Sequence, residues 1–191
     1  MGFANKISLS RILAIPFLIA GLFLYANRDL PVFHWAVLFI FSFAMLTDFV
    51  DGAIARIKKE KTPLGKVLDP LADKLLLLNA FIWIYTLRGQ LSFNYHLPLW
   101  VVMIVISRDV IILLGLLILY LLKIEVKITP NIWGKLTTFF QMFTILSLFL
   151  NLFLTPYLWN LACVFTVISG ILYVKRGVSA LNAFDSKNSH S

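Results

Sequence analysis

The chain has 191 residues, of which 60% are hydrophobic, 15% aromatic and only 14% charged. A soluble domain carries about 25% charged residues, so composition points away from one and toward a single polytopic membrane domain. The net charge of +8 would fit nucleic acid, but the basic residues are scattered among short loops and form no patch, which excludes that partner.

Six apolar runs are each of the order needed to span a bilayer, about 20 residues. They are Ile7–Ala26, Val32–Ile57, Leu64–Leu87, Leu97–Leu122, Ile132–Leu152 and Pro156–Val174. Runs of this length in lipid satisfy their backbone as helices, giving an all-α integral membrane protein with six transmembrane helices. The first run is too long for the core of a signal peptide and has no clear small-residue cleavage site. The breaks carry turn chemistry: Asn27-Arg28-Asp29 with Pro31, Thr62-Pro63, Asn94 to Pro98, Thr129-Pro130-Asn131 and Thr155-Pro156. Thr62 followed by Pro63 reads as an N-cap and first helical residue. Residues 1–181 form the membrane domain, and 182–191 a polar, frayed tail. Cys163 is the chain's single cysteine, so no intrachain disulfide forms.

Lysine and arginine set the orientation. Lys6, Arg11, Arg56, Lys58, Lys59, Lys61, Lys66, Lys123, Lys127, Lys135, Lys175, Arg176 and Lys187 fall on one side of a six-span arrangement, and only Arg28 and Arg88 on the other. Lys74 and Arg108 are placed near helix ends on the basic side. Both termini are then cytoplasmic in a multi-pass protein of the cell membrane.

Against this apolar background, the stretch Asp48 to Lys74 gathers four aspartates, two glycines and an arginine around one basic loop. Asp48 and Asp51 are spaced i,i+3, and Asp69 and Asp73 i,i+4, so each pair projects from one face of its helix. The short loop makes the second and third helices antiparallel neighbours, and the two pairs can converge. Four uncompensated carboxylates at a membrane interface are too costly to stand alone. Oxygen-rich ligand sets suit Mg²⁺ or Mn²⁺, and bridging carboxylates favour two ions, an arrangement used in phosphoryl chemistry. Gly52 and Gly65 leave room for a ligand to approach backbone, and Arg56 can grip a phosphate in bidentate fashion. Pro70 breaks one helical hydrogen bond and can kink the chain beside Asp69. The competing readings are close helix packing at the glycines, simple ion pairing at the aspartates, and an ion path in a small transporter or structural membrane protein. The cluster lies at one interface with no second polar group continuing a route, which counts against a path.

The pattern D-x2-D-G-x2-A-R-x8-G-x3-D-x3-D, carried by Asp48, Asp51, Gly52, Ala55, Arg56, Gly65, Asp69 and Asp73, resembles the signature of the CDP-alcohol phosphatidyltransferase family. The resemblance covers the whole chain. It implies transfer of a phosphatidyl group from CDP-diacylglycerol to an alcohol with release of CMP, at an active site near the cytoplasmic face. By that resemblance the four aspartates hold the divalent ions and Asp73 also acts as general base. Gly52, Ala55, Arg56 and Gly65 contact the CDP moiety, and the protein is a homodimer in membrane lipid.

The acceptor is read elsewhere. Asn5, Ser8 and Arg11 resemble the Asn-x-x-Thr-x-x-Arg start of phosphatidylglycerophosphate synthases, with serine for threonine. The Arg-Glu that often opens their fourth helix is Arg108-Asp109 here. Their Gly-Lys-x-Lys-Thr is Gly134-Lys135-Leu136-Thr137-Thr138, with one lysine missing. Ser8, Arg11, Arg108 and Lys135 are the acceptor candidates, and glycerol 3-phosphate is the favoured acceptor. The missing lysine and the stretch Ile106 to Val110 also resemble cardiolipin synthases of this family. That makes phosphatidylglycerol, with its single phosphodiester charge, the alternative. Snorkelling at the interface, or a pair between Arg108 and Asp109, is the plain structural explanation of the two basic residues.

Overall fold

The structure is a computed structural model describing the backbone of residues 3–28, 30–58, 63–121 and 132–188, and side chains over 12–28, 30–47, 74–115, 118, 121 and 132–179. Its helices are α1 (Phe3–Arg28), α2 (Pro31–Lys58), α3 (Pro63–Thr86), α4 (Leu99–Leu121), α5 (Ile132–Phe149) and α6 (Thr155–Asn188). The apolar runs dictate these elements, and proline fixes several of the starts. Pro31 and Pro63 open α2 and α3, and Pro156 is the second residue of α6, where a missing N–H costs nothing. Thr62, expected as the cap before Pro63, lies outside the described residues.

The core is assembled from helical stripes at i, i+3 or i+4 spacing. Leu18, Leu22 and Tyr25 come from α1, Val37, Phe41 and Ala44 from α2, and Leu77, Phe81 and Ile84 from α3, all buried. Val101 and Val105 of α4 and Ile145 and Leu148 of α5 meet them. α1 packs against both α2 and α3; α3 touches α4 and α5; α6 lies against α4 and α5, and α2 also meets α5. Among the described contacts, α1 and not α3 is the neighbour with which α2 shares its large packing interface. α1 takes that place because Gly21 lets it close on Val37, where an added Cβ would lie 2.6 Å from Val37 Cγ2. Five peptide units join Lys58 to Pro63, so the ends of α2 and α3 still stand within about 18 Å of one another.

The outer surface is as apolar as the core. Phe39 is 69% exposed and Phe153 72%, and Phe17, Trp35, Phe43 and Leu46 also face outward. Exposed apolar area on this scale suits acyl chains and not water. Two helical stretches, Ile132–Phe149 and Thr155–Ser179, are long and apolar enough to cross a bilayer, and shorter apolar stretches cover Ile12–Arg28, Pro31–Thr47 and Lys74–Thr86 among the described residues.

α5 and α6 are joined by a Schellman turn. Asn151 has φ 51°, Leu152 N–H donates to Ser147 C=O and Asn151 N–H donates to Leu148 C=O. Asn151 Oδ1 also accepts Asn94 N–H at 2.7 Å, tying the α3–α4 connection to this turn. At the far end α6 departs from the sequence reading. It continues as helix to Asn188 and does not fray at residue 182. Its 34 residues measure about 51 Å at 1.5 Å each, against roughly 30 Å of bilayer hydrocarbon. The sequence beyond Val174 has no proline, and Ala180, Leu181 and Ala183 favour helix, so lipid thickness does not end it.

Candidate active site

The eight motif positions fall on two helices. Asp48, Asp51, Gly52, Ala55 and Arg56 lie in the last third of α2, and Gly65, Asp69 and Asp73 in the first half of α3. The backbone is helical at every one of them. The i,i+3 and i,i+4 spacings therefore set each aspartate pair on one helical face, about 60° and 40° apart around the axis. A set of four hard oxygen ligands on two linked helix ends fits Mg²⁺ or Mn²⁺. Arg56 stands five positions after Asp51 on the same helix, and a guanidinium is the side chain that suits bidentate contact with a phosphate. The side chains of all eight, and of Ser8 and Arg11, lie outside the described residues, as does any distortion beside Pro70.

The described part of the site begins one residue further on, at Lys74. Its Nζ reaches Asp109 Oδ1 on α4 at 2.5 Å, and the same oxygen accepts Arg108 Nη1 at 2.6 Å. Arg108 Nη2 donates to Ser169 Oγ on α6 at 2.7 Å. Four elements meet there, because Gly134 of α5 lies beside the guanidinium and Gly170 of α6 beside the stem of the same side chain. A Cβ at Gly134 would sit 3.5 Å from Arg108 Nη2, and one at Gly170 would sit 3.4 Å from Arg108 Cγ. Small residues on α5 and α6 thus make room for a large cation within the bundle.

Arg108 is 7% exposed and Asp109 2%, near the midpoint of α4. This corrects the placement of Arg108 near a helix end. The residue does not need to snorkel, because a carboxylate and a hydroxyl partner it in place. Its Nε is a buried N–H with no partner among the described residues. Lys135 is exposed at the start of α5, next to Gly134. Thr137, which stands where the second lysine of Gly-Lys-x-Lys-Thr would be, is fully buried and donates to Trp133 C=O at 2.9 Å.

Sequence reasoning foresaw the Arg108–Asp109 pair as a structural alternative and missed the rest of the cluster. Lys74 and Asp109 are 35 residues apart, and no periodicity connects them. The adjacent Ser169-Gly170 in an otherwise apolar run was the one visible signal for α6. Around the cluster runs a buried polar seam between α5 and α6, with Gln141 Nε2 donating to Thr166 Oγ1 at 3.2 Å. Thr144 and Ser147 in the same seam bond to backbone carbonyls, which satisfies them without water. The seam fixes the register that brings Ser169 to Arg108.

Comparison with known proteins supplies the rest. A family model described as CDP-alcohol phosphatidyltransferase matches residues 1–171. The chain is 36% identical to the CDP-diacylglycerol--glycerol-3-phosphate 3-phosphatidyltransferase of Bacillus subtilis, over 93% of this chain and 95% of that protein. It is 33% identical to the protein of the same name from Aquifex aeolicus, covering 90% and 89% of the two chains. A Mycobacterium tuberculosis protein named probable phosphatidylglycerophosphate synthase is 33% identical, covering 92% and 81%.

Proposed function

The chain belongs to the CDP-alcohol phosphatidyltransferase family, and on that premise we propose that it moves the phosphatidyl group of CDP-diacylglycerol to glycerol 3-phosphate, forming phosphatidylglycerophosphate and releasing CMP. The observation that carries the reading is near-full-length similarity to relatives named for that reaction, in a chain whose motif falls on two linked helix ends.

In this reading Asp73 takes the proton of the acceptor hydroxyl. The freed oxygen bonds to the phosphorus bearing the diacylglycerol, the bond from that phosphorus to CMP breaks, and CMP departs with the electron pair. Arg56 and the backbone at Gly52 and Gly65 hold the diphosphate, with Ala55 against the nucleotide. Asp48, Asp51, Asp69 and Asp73 would hold two ions, Mg²⁺ or Mn²⁺, which when bound neutralise the diphosphate and the charge developing on CMP. Arg108, Lys135, Ser8 and Arg11 receive the acceptor's phosphate end. The partnerless Nε of Arg108 supports a role beyond tying helices together.

We place all six helices across the cell membrane with both termini and the motif on the cytoplasmic side. The lysine and arginine distribution supports this. There the donor keeps its acyl chains in lipid while its headgroup reaches the aspartates. A homodimer is the proposed assembly, on family resemblance.

A second reading, with phosphatidylglycerol as acceptor and cardiolipin as product, draws on Thr137. Burial of a hydroxyl where a lysine would stand leaves less basic charge for a dianionic phosphate. Purified protein given CDP-diacylglycerol, Mg²⁺ or Mn²⁺ and either acceptor, with lipids identified by mass, decides between them. No CMP release with either acceptor refutes the enzyme; product from phosphatidylglycerol alone refutes the favoured acceptor.

A further inference from the structure

Asp109 Oδ1 takes two cations, Lys74 Nζ from α3 and Arg108 Nη1 from its own helix. These three side chains together carry a formal net charge of one positive unit. Lys74 is the covalent neighbour of Asp73, their Cα atoms about 3.8 Å apart. Asp109 is buried and Lys74 only partly exposed, so the charge of this trio acts on the Asp69–Asp73 pair at short range.

We infer that Asp109 is a positioning residue that sets the charge balance beside Asp69 and Asp73. It lets Lys74 tie α3 to α4 without opposing a divalent ion at the neighbouring carboxylates. The inference rests on the reading of Asp69 and Asp73 as ion ligands. A simple charge ladder follows. Asp109→Asn raises the surplus on the trio from one to two, Lys74→Met lowers it to zero, and the double variant returns it to one. If Asp109 acts through charge, ion affinity follows the ladder. If it acts only as structural glue, the double variant has lost both ends of the α3–α4 tie and resembles Asp109→Asn or does worse.

The test uses the full chain in detergent micelles with Mn²⁺ as probe, the unbound ion read from its electron paramagnetic resonance signal with no substrate present. Asp109→Asn should weaken Mn²⁺ binding roughly tenfold, the scale of one added unit charge acting through protein at this range. Adding Lys74→Met to it should return affinity to within about twofold of wild type, and Lys74→Met alone should bind as tightly as wild type or tighter. Asp109→Asn with unchanged affinity, or a double variant as weak as the single one, overturns the inference. Should Asp109→Asn fail to fold, Lys74→Met decides alone, and weaker binding than wild type overturns it. Product formation is followed separately with wild type. Mn²⁺ binding that follows the ladder without phosphatidylglycerophosphate synthesis refutes the function and leaves the inference standing. A wild type that binds no Mn²⁺ refutes the ion-ligand reading and the inference together.

Discussion

Gly21 sets the spacing between α1 and α2, and its replacement by alanine would force the two helices against each other. The new Cβ would lie 2.6 Å from Val37 Cγ2, where carbon atoms in contact stand about 3.5–4.0 Å apart. Roughly 1 Å must be found, and Val37 is fully buried with a branched side chain that has little rotamer freedom. Overpacking of this kind costs about 1–3 kcal/mol, and the helix preference of alanine over glycine returns up to about 1 kcal/mol. A net destabilisation of about 1–2 kcal/mol is expected for Gly21→Ala. Val37→Ala, which empties part of a packed site, should cost about 2 kcal/mol. In the double variant the methyl introduced at position 21 occupies the space that the valine vacates, so the combined cost should fall short of the sum by about 1–2 kcal/mol. Unfolding midpoints in mixed detergent–SDS micelles would measure the cycle. Because α1 lies against both motif-bearing helices, turnover should fall in Gly21→Ala and recover in the double variant. Additivity within about 0.5 kcal/mol would refute the steric account.

Asp73→Asn should abolish CMP release while leaving the unfolding midpoint within error of wild type; an active variant removes Asp73 as base. Arg108→Ala should raise the KM for glycerol 3-phosphate at least tenfold, about 1.4 kcal/mol, with a smaller change for CDP-diacylglycerol, and the reverse order would place Arg108 on the donor side. The variant should still fold, because Asp109 keeps Lys74 as its partner. Arg108→Lys cannot span Asp109 and Ser169 as the guanidinium does, so its acceptor KM should resemble that of Arg108→Ala; a return to the wild-type value would mean that a point charge suffices. Asn151→Gly keeps the left-handed turn but loses the bond to Asn94, whereas Asn151→Ala loses both. Stability measurements should therefore rank alanine below glycine by about 1 kcal/mol, and equal values would refute a role for backbone conformation there.

The helices were legible because lipid imposes a length and proline marks a start, both local properties of the chain. The one large misreading of extent, the end of α6, came from assuming that a helix stops where the bilayer does. Backbone hydrogen bonds in 175–188 need no lipid to persist, and the sequence there has no proline to break them. The motif was legible for a different reason. Aspartates at i,i+3 and i,i+4 in an apolar chain are expensive, and their cost singles them out. The Lys74–Asp109 tie was not legible. Both residues were visible, but which cation a buried carboxylate takes depends on how α3 and α4 rotate against each other. Leu77, Phe81, Val101 and Val105 are all buried in the shared core, and their pattern specifies a buried face and not a partner. The Asn151 turn was hidden similarly, since asparagine marks a turn without announcing its handedness or its bond to Asn94.

Under the proposed function, that difference bears on how the two substrates would be recognised. The donor motif is compact, spread over 26 positions of two consecutive helices, so a local insertion or substitution disturbs it as a unit. The cluster around Arg108 is assembled from α3, α4, α5 and α6, and each element contributes only one or two residues. Changes at Gly134, Ser169 or Gly170 can alter the space and bonding around Arg108 without touching the motif aspartates. On the proposal that this cluster receives the acceptor, a site built in this way would let acceptor preference drift while donor chemistry is held fixed. It would also account for the weak mark of the acceptor in the sequence, since Gly134 and Gly170 act by leaving space beside Arg108, and a missing side chain carries no chemical label.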